Sequence, residues 1–383
     1  MIRDFDIVRA RVYAVAPKAT PSYRWTGQDG FVRVTDNILR LTAANGLEGW
    51  SSNTSNKPEK AEDGSVAEPD RSLADRLHHL APQVLGASAL EREAVSERLM
   101  RRSNDPRKRS ESLIDIALWD LAARAADEPL WRFLGGYRGE IPVYASTPVF
   151  ETVEDYISFV GTLVERGYGA AKLHTRCDPD WDLTMIEAVH AALGGRMRFM
   201  LDVEQRYDLR AAVRVGRHLA ELGFVWFEAP LPDGDLAAYR ELRRAVDVPL
   251  IPAGNTLTTL GELRTGIETG AWDHVRTGPT HNGGIGATVR AMSLADAHGM
   301  TVELQSYGYE GRKLAALHLA LGLGNCGWFE QPVPETDYQY ELAAPPNMDQ
   351  DGIIRPPEGP GLGAVPEWDR IEDEAFLAFD VED

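Results

Sequence analysis

From Ile141 onward the chain repeats one pattern that few folds accept: a short apolar run, an amphipathic helical stretch, then another apolar run. The runs are PVYAS, AAKLHT, RFMLDVE, FVWFEAP, VPLIPAG, DHVRTG, TVELQS and GWFEQP, separated by segments such as DLTMIEAVHAALG and DLRAAVRVGRHLAELG. Parallel strands need a long crossover rather than a hairpin, so eight strands alternating with helices predict a parallel β/α (TIM-type) barrel. The preceding segment has another texture. DIVRARVYAV and FVRVTDNILRLTAANGLEGW read as strands with hairpin chemistry at AANG, and residues 51–70 read as a polar surface loop. Helical patterns follow from about Ser72 to Leu134, with Ser110 as the expected cap of the clearest one. The expected organisation is an α+β domain over 1–135, a barrel over 136–345, and a Pro/Gly-rich then acidic segment, 346–383, returning to the first domain.

The bulk numbers narrow the partners. Forty basic and 59 acidic residues give a net charge of −19, which disfavours nucleic acid. The two cysteines, Cys177 and Cys326, are too few for a disulfide scaffold and too isolated for a zinc site. No run of membrane-spanning length is present and the first residues carry charge throughout, so no membrane partner and a cytoplasmic location are expected.

In a parallel barrel the chemistry sits at the C-terminal ends of the strands. Asp202, Glu228 and Asn255 end the third, fourth and fifth candidate strands, spaced by 26 and then 27 residues. Three oxygen-bearing side chains on neighbouring strands can converge on one point above the barrel. A hard divalent cation such as Mg²⁺ takes ligands of this kind and keeps open positions for substrate. Glu204 lies on the same strand face as Asp202 and is a further ligand or supporting group. In AAKLHT, Lys172 and His174 share one strand face because side chains alternate there.

LDVE, WFEAPLP and IPAGN, in this order and spacing, resemble the metal-binding strands of the enolase superfamily, in its mandelate racemase/muconate lactonizing enzyme branch. IDIALWDLAARAADEPLWRFLGG is similar to the helix that precedes the barrel in that family. AAKLHT is similar to its Lys-x-Lys strand, GGIGATVRAMSLADAHGM to the helix after strand six, and PPEGPGLG to its C-terminal turn. The resemblance implies an α+β capping domain on a modified (β/α)7β barrel. It implies a Mg²⁺-assisted abstraction of the proton α to a carboxylate, through an enediolate. The partner is then a small-molecule carboxylate, and the family commonly forms homo-oligomers.

The chain departs from the family pattern at informative places. Asn255 replaces the third carboxylate that most of the branch carries. By register, the strand-six Asp falls on Gly278 and the strand-seven His on Gln305, so the usual dyad is missing. His281, Tyr307 or Lys313 could reach in from loops. Lys172 and His174 are therefore the expected catalytic pair, with Lys172 disfavouring the protonated imidazole by like-charge repulsion. A one-sided site fits dehydration of an acid sugar (an aldonate or aldarate) better than racemisation, which needs groups on both faces of the carbanion. The alternatives are a racemase or epimerase with a loop residue as second base, and a non-catalytic or repurposed member. Arg24, Gln305, Tyr307 and Glu330 are the expected substrate-binding residues, and Trp50 is expected to pack between cap and barrel.

Overall fold

A computed structural model describes residues 3–17, 31–61, 64–103 and 105–382. Arg24 and its neighbours Tyr23 and Trp25 lie outside them. Three antiparallel strands open the fold: β1 (Ile7–Val15), β2 (Val32–Ala43) and β3 (Glu48–Pro58). Helices α1 (Ser72–Leu80), α2 (Arg92–Arg102) and α3 (Arg109–Ala125) pack behind them. Leu73, Leu77, Val95, Leu99, Leu113 and Leu121 form a core there with Val12, Leu39 and Leu41 of the sheet.

Two expectations fail here for physical reasons. The polar stretch after Trp50 is largely strand: β3 pairs with β2 from Glu48 to Pro58, and Ser51, Ser52, Asn53 and Ser55 are buried. Small polar side chains read as loop, yet they let helices approach a strand closely. A Cβ built on Gly311 would lie 2.7 Å from the Trp50 ring and 2.6 Å from Ser52 Oγ, so only glycine allows that helix to sit on β3. The helix α3 does not begin at a Ser110 cap. Lys108 is its N-cap in a left-handed conformation (φ 50°), and Ser110 is buried inside the helix.

The barrel strands are β4 (Ile141–Ser146), β5 (Ala170–His174), β6 (Arg198–Asp202), β7 (Phe227–Glu228), β8 (Leu250–Ile251), β9 (Val275–Thr277), β10 (Val302–Leu304) and β11 (Phe329–Pro332). They run parallel in the order β11-β4-β5-β6-β7-β8, with β9 and β10 as a second parallel pair. Strand eight thus pairs with strand one. Several crossover helices start on side-chain caps that satisfy otherwise orphaned amides. Asp178, Asp208 and Asp235 each accept from backbone N–H groups of their helices, and Thr259 forms a capping box with Glu262. After β12 (Ile353–Ile354), which pairs with β4, the chain ends in β13 (Ala375–Glu382), which pairs antiparallel with β1. Asp120 of α3 ties these parts together. Its buried carboxylate accepts from Trp50 N (2.9 Å), Leu362 N (2.6 Å) and Arg124 Nε (3.1 Å). Trp50 is buried and donates through its indole N–H to the Ala364 carbonyl.

Candidate active site

Strand register sets the site. In the parallel ladders His174 pairs with Asp202, and Asp202 with Glu228, so three ionisable side chains end neighbouring strands at one height. They open into a cavity of about 250 Å³ between barrel and cap, which Lys172, Glu204, Asn255, Gln305, Tyr307 and Glu330 also line. Every predicted site residue among those described reaches this one cavity.

The floor of the cavity is an ionic cluster. Lys172 Nζ lies 2.8 Å from Glu330, 2.9 Å from Glu228 and 3.3 Å from Asp202, and its side chain is 1% exposed. Arg276, buried on β9, reaches Glu228 at 2.8 Å and Glu330 at 3.0 Å. Burial pushes the Lys172 ammonium toward its neutral form, and Arg276 repels it, but Glu228 and Glu330 more than offset both and hold its pKa well above the ordinary value. Lys172 thus stands as counter-ion to three carboxylates. Glu330, which also lines the cavity, engages Lys172, Arg276 and the Ser306 amide.

His174 is placed differently. Its Nδ1 sits 2.7 Å from the Thr147 carbonyl, which can only accept, so Nδ1 carries a proton. The other nitrogen, Nε2, faces Asp202 Oδ2 at 3.3 Å and Glu204 Oε1 at 3.9 Å. Burial lowers the His174 pKa, but the hydrogen bond to Asp202 and its charge more than offset this, and the net shift is upward. The expected dominance of the Lys172 ammonium is thus outweighed by the Asp202 carboxylate.

One ligand atom each from His174, Asp202 and Glu204 lie within 4.8 Å of one another. Glu204 is half-buried, and burial together with the Asp202 charge pushes its pKa up to about 8. Glu228 is more committed: one oxygen meets Lys172 and Arg276, and the other accepts from the Trp226 indole at 3.2 Å. Asp202, Glu204, Glu228 and Asn255 bring hard oxygen donors to the cavity, a donor set that fits a divalent cation.

The opposite wall carries the departures. A Cβ on Gly278 would lie 3.0 Å from both the Gln305 carbonyl and His281 Cε1, so the absence of a side chain there makes room for the His281 ring. His281 is buried in the cavity wall with neither ring nitrogen in a full hydrogen bond, and burial lowers its pKa to about 3. Tyr307 accepts from the Tyr338 hydroxyl at 2.7 Å and meets the His174 ring edge-on. Lys313 points away, donating to the Tyr338 carbonyl.

Sequence reasoning missed other contributors. Asp233 accepts from Ala253 N (2.8 Å), Gly254 N (3.1 Å) and Thr256 Oγ1 (2.6 Å), and so fixes the turn that carries Asn255. Its signal is an acid five residues after Glu228. Arg276 is visible in DHVRTG as a charge within a strand. The cap residues Asn53, Thr54 and Arg109 reach the cavity from segments read as loop or helix cap.

Comparison with known proteins agrees with this layout. Residues 155–370 match the family described as enolase C-terminal domain-like, and residues 26–135 match the mandelate racemase/muconate lactonizing enzyme N-terminal domain. The chain is 33% identical to an L-talarate/galactarate dehydratase of Salmonella typhimurium over 193 residues, covering 49% of this chain and 48% of that enzyme. It is 26% identical to a D-galactarolactone cycloisomerase of Agrobacterium fabrum, covering 87% of this chain and 89% of that enzyme. A solved structure of a protein of the mandelate racemase/muconate lactonizing enzyme group from Pseudovibrio sp. superimposes with a TM-score of 0.94 at 32% identity, covering both chains fully. A D-glucarate dehydratase from Agrobacterium tumefaciens, solved with magnesium, superimposes with a TM-score of 0.79 at 26% identity, covering 98% of this chain and all of that one.

Proposed function

The chain belongs to the mandelate racemase/muconate lactonizing enzyme family of the enolase superfamily, and we propose that it dehydrates an acid sugar. The chemistry begins with removal of the proton α to the carboxylate and ends with loss of a β-hydroxyl as water, giving a keto acid. One observation carries the choice of base: His174 is anchored through Nδ1 and presents Nε2 to the cavity beside the acidic donors. Anchoring fixes the tautomer and the ring orientation, so the accepting nitrogen is held where the α-proton is delivered. Lys172 neutralises the floor and stays protonated.

Asp202, Glu204, Glu228 and Asn255 are the oxygen donors available to hold a Mg²⁺ ion. Bound there, the ion would supply positive charge for the substrate carboxylate and for the charge that builds on it as the α-proton leaves. The burden on the chain's own residues is then to orient and to move one proton. His174 does the second, through Nε2; a cation held by Asp202 would draw that carboxylate away from it. Tyr307 and Gln305 border the bound acid on the strand-seven side.

A second reading, 1,1-proton transfer, is favoured by His281. It belongs to the loop after strand six, across the barrel from strand two, and its ring nitrogens are unclaimed by full hydrogen bonds. A single experiment separates the two. The Mg²⁺-loaded enzyme is incubated with a panel of aldonates and aldarates, and keto acid and epimer are both measured. Dehydration predicts keto acid, lost in His174→Asn and retained in part in His281→Asn. Epimer without keto acid, lost in both variants, would reject dehydration in favour of the second reading.

A further inference from the structure

Asp182 lies behind the site, on the helix Pro179–Leu193 that follows β5, and the proton chemistry gives it no part. It is fully buried, and its side-chain hydrogen bonds fall on one oxygen. Oδ2 accepts from Thr175 Oγ1 at 3.0 Å and from the Tyr207 hydroxyl at 2.5 Å, while Oδ1 has no hydrogen-bond partner among the described residues. The two donors belong to different loops. Thr175 follows His174 directly, and its hydroxyl also accepts from Cys177 N at 3.0 Å. Tyr207 belongs to the loop after β6 that carries Glu204. Cys177 Sγ adds a second link between the loops, donating to the Val203 carbonyl at 3.3 Å. Both loops hold residues with side chains in the left-handed region: Cys177 (φ 56°) in one, Glu204 (φ 48°) and Gln205 (φ 63°) in the other. Such conformations persist only where the surroundings enforce them. A buried carboxyl with one oxygen shared and the other orphaned is a costly way to fill space. What it gains in return is the pair of donors, one from each loop.

We propose that Asp182 is a positioning residue: it couples the loop behind His174 to the loop bearing Glu204, and so sets how close these two groups stand in the cavity. Their separation is 3.9 Å, from His174 Nε2 to Glu204 Oε1. Asp182 is not among the residues that line the cavity, so it acts through the two loops alone. The inference rests on the reading of Glu204 as an oxygen donor to Mg²⁺ and deepens it, since the place of that donor then depends on the strand-two loop as well as its own. Because Oδ2 serves both hydroxyls, an acceptor of the same shape keeps the coupling. Loss of either hydroxyl breaks it, and loss of the second then adds little.

The test is titration calorimetry of the full chain with Mg²⁺ alone, beside a melting curve in EDTA that shows each variant to be folded. Asp182→Ala is expected to weaken Mg²⁺ binding by about tenfold or more. Asp182→Asn, whose amide oxygen can accept from both hydroxyls, should stay within about threefold of wild type. Tyr207→Phe and Thr175→Val, which keep the side-chain volume and guard against a failure of Asp182→Ala to fold, should each weaken binding by about tenfold. The double variant should bind no more than about twofold more weakly than the worse single one. A merely structural role would lower Tm and leave the Mg²⁺ affinity of the folded variants unchanged, and that result would overturn the inference. So would losses in Tyr207→Phe and Thr175→Val that multiply in the double variant, or an Asp182→Asn variant as weak as Asp182→Ala. Keto acid formation by the wild type separates this inference from the reading beneath it. Weakened Mg²⁺ binding in the variants of a wild type that forms no keto acid keeps the coupling and rejects the dehydratase. Keto acid from a wild type whose variants bind Mg²⁺ unchanged does the reverse, and a wild type that binds no Mg²⁺ rejects the coupling.

Discussion

Replacing Lys172 with Met probes the ionic floor on which the site is built. Its ammonium lies 2.8–3.3 Å from Glu330, Glu228 and Asp202 and is almost fully buried. At about 3 Å and an effective dielectric of ~20, each contact has a gross attraction of ~5 kcal/mol, most of it offset by the cost of burying the charges. Arg276 still reaches Glu228 and Glu330 in the variant, so the carboxylate left most exposed to the loss is Asp202. Breaking a buried ionic cluster from one side costs ~3–5 kcal/mol. At ~2.1 cal/mol/K per residue, a chain of 383 residues has an unfolding entropy of ~0.8 kcal/mol/K, so the loss appears as a fall in Tm of ~4–6 °C. Differential scanning calorimetry in EDTA at neutral pH reads it directly. Lys172→Met/Asp202→Asn removes the stranded charge and should recover about half of the loss. A single variant that melts within about 1 °C of wild type, or a double variant that melts lower still, would refute the counter-ion role of Lys172.

Three further outcomes follow from particular contacts. Asp233→Asn loosens the turn bearing Asn255 and should weaken Mg²⁺ binding by about 10–100-fold in titration calorimetry, with little change in Tm. Asp120→Asn should cost ~2–4 kcal/mol in urea unfolding, since the carboxylate that holds α3 to β3 and to the Leu362 turn loses its charge and one acceptor site. His318 is buried, accepts from Trp131 N at 3.0 Å, and is pushed down to about 4 by burial. Its folded pKa lies below the unfolded ~6.5, so its stabilising contribution, ~3 kcal/mol, is complete above pH 6.5 and gone once the pH has fallen through 4. Urea midpoints for His318→Gln should therefore show a shallower decline between pH 6.5 and 4 than the wild type does.

The barrel was legible because its signal is periodic and repeated. Each strand candidate from PVYAS to GWFEQP contains a strand, and Asp202 and Glu228 stand at the ends of theirs. What escaped was set by contacts distant in sequence. β3 is polar because helices crowd it, so its composition mimics a loop. The reversal at His174 depends on Asp202, 28 residues away, which the fold brings to 3.3 Å from Nε2. Arg276 and Arg109 carry no motif, and only the fold brings them to the same cavity as His174. Gly278 shows the reverse case. It reads from register as a loss, while the structure shows its space bordered by the His281 ring.

The most direct test of the central claim is solvent exchange at the α-carbon. The Mg²⁺-loaded enzyme is incubated in D₂O with acid sugars of both classes and followed by ¹H NMR. Proton abstraction at His174 Nε2 predicts deuterium at the α-carbon or in the keto acid formed, with both signals absent in a folded His174→Asn variant. Exchange that persists undiminished in that variant, or none with any acid in the wild type, would contradict it.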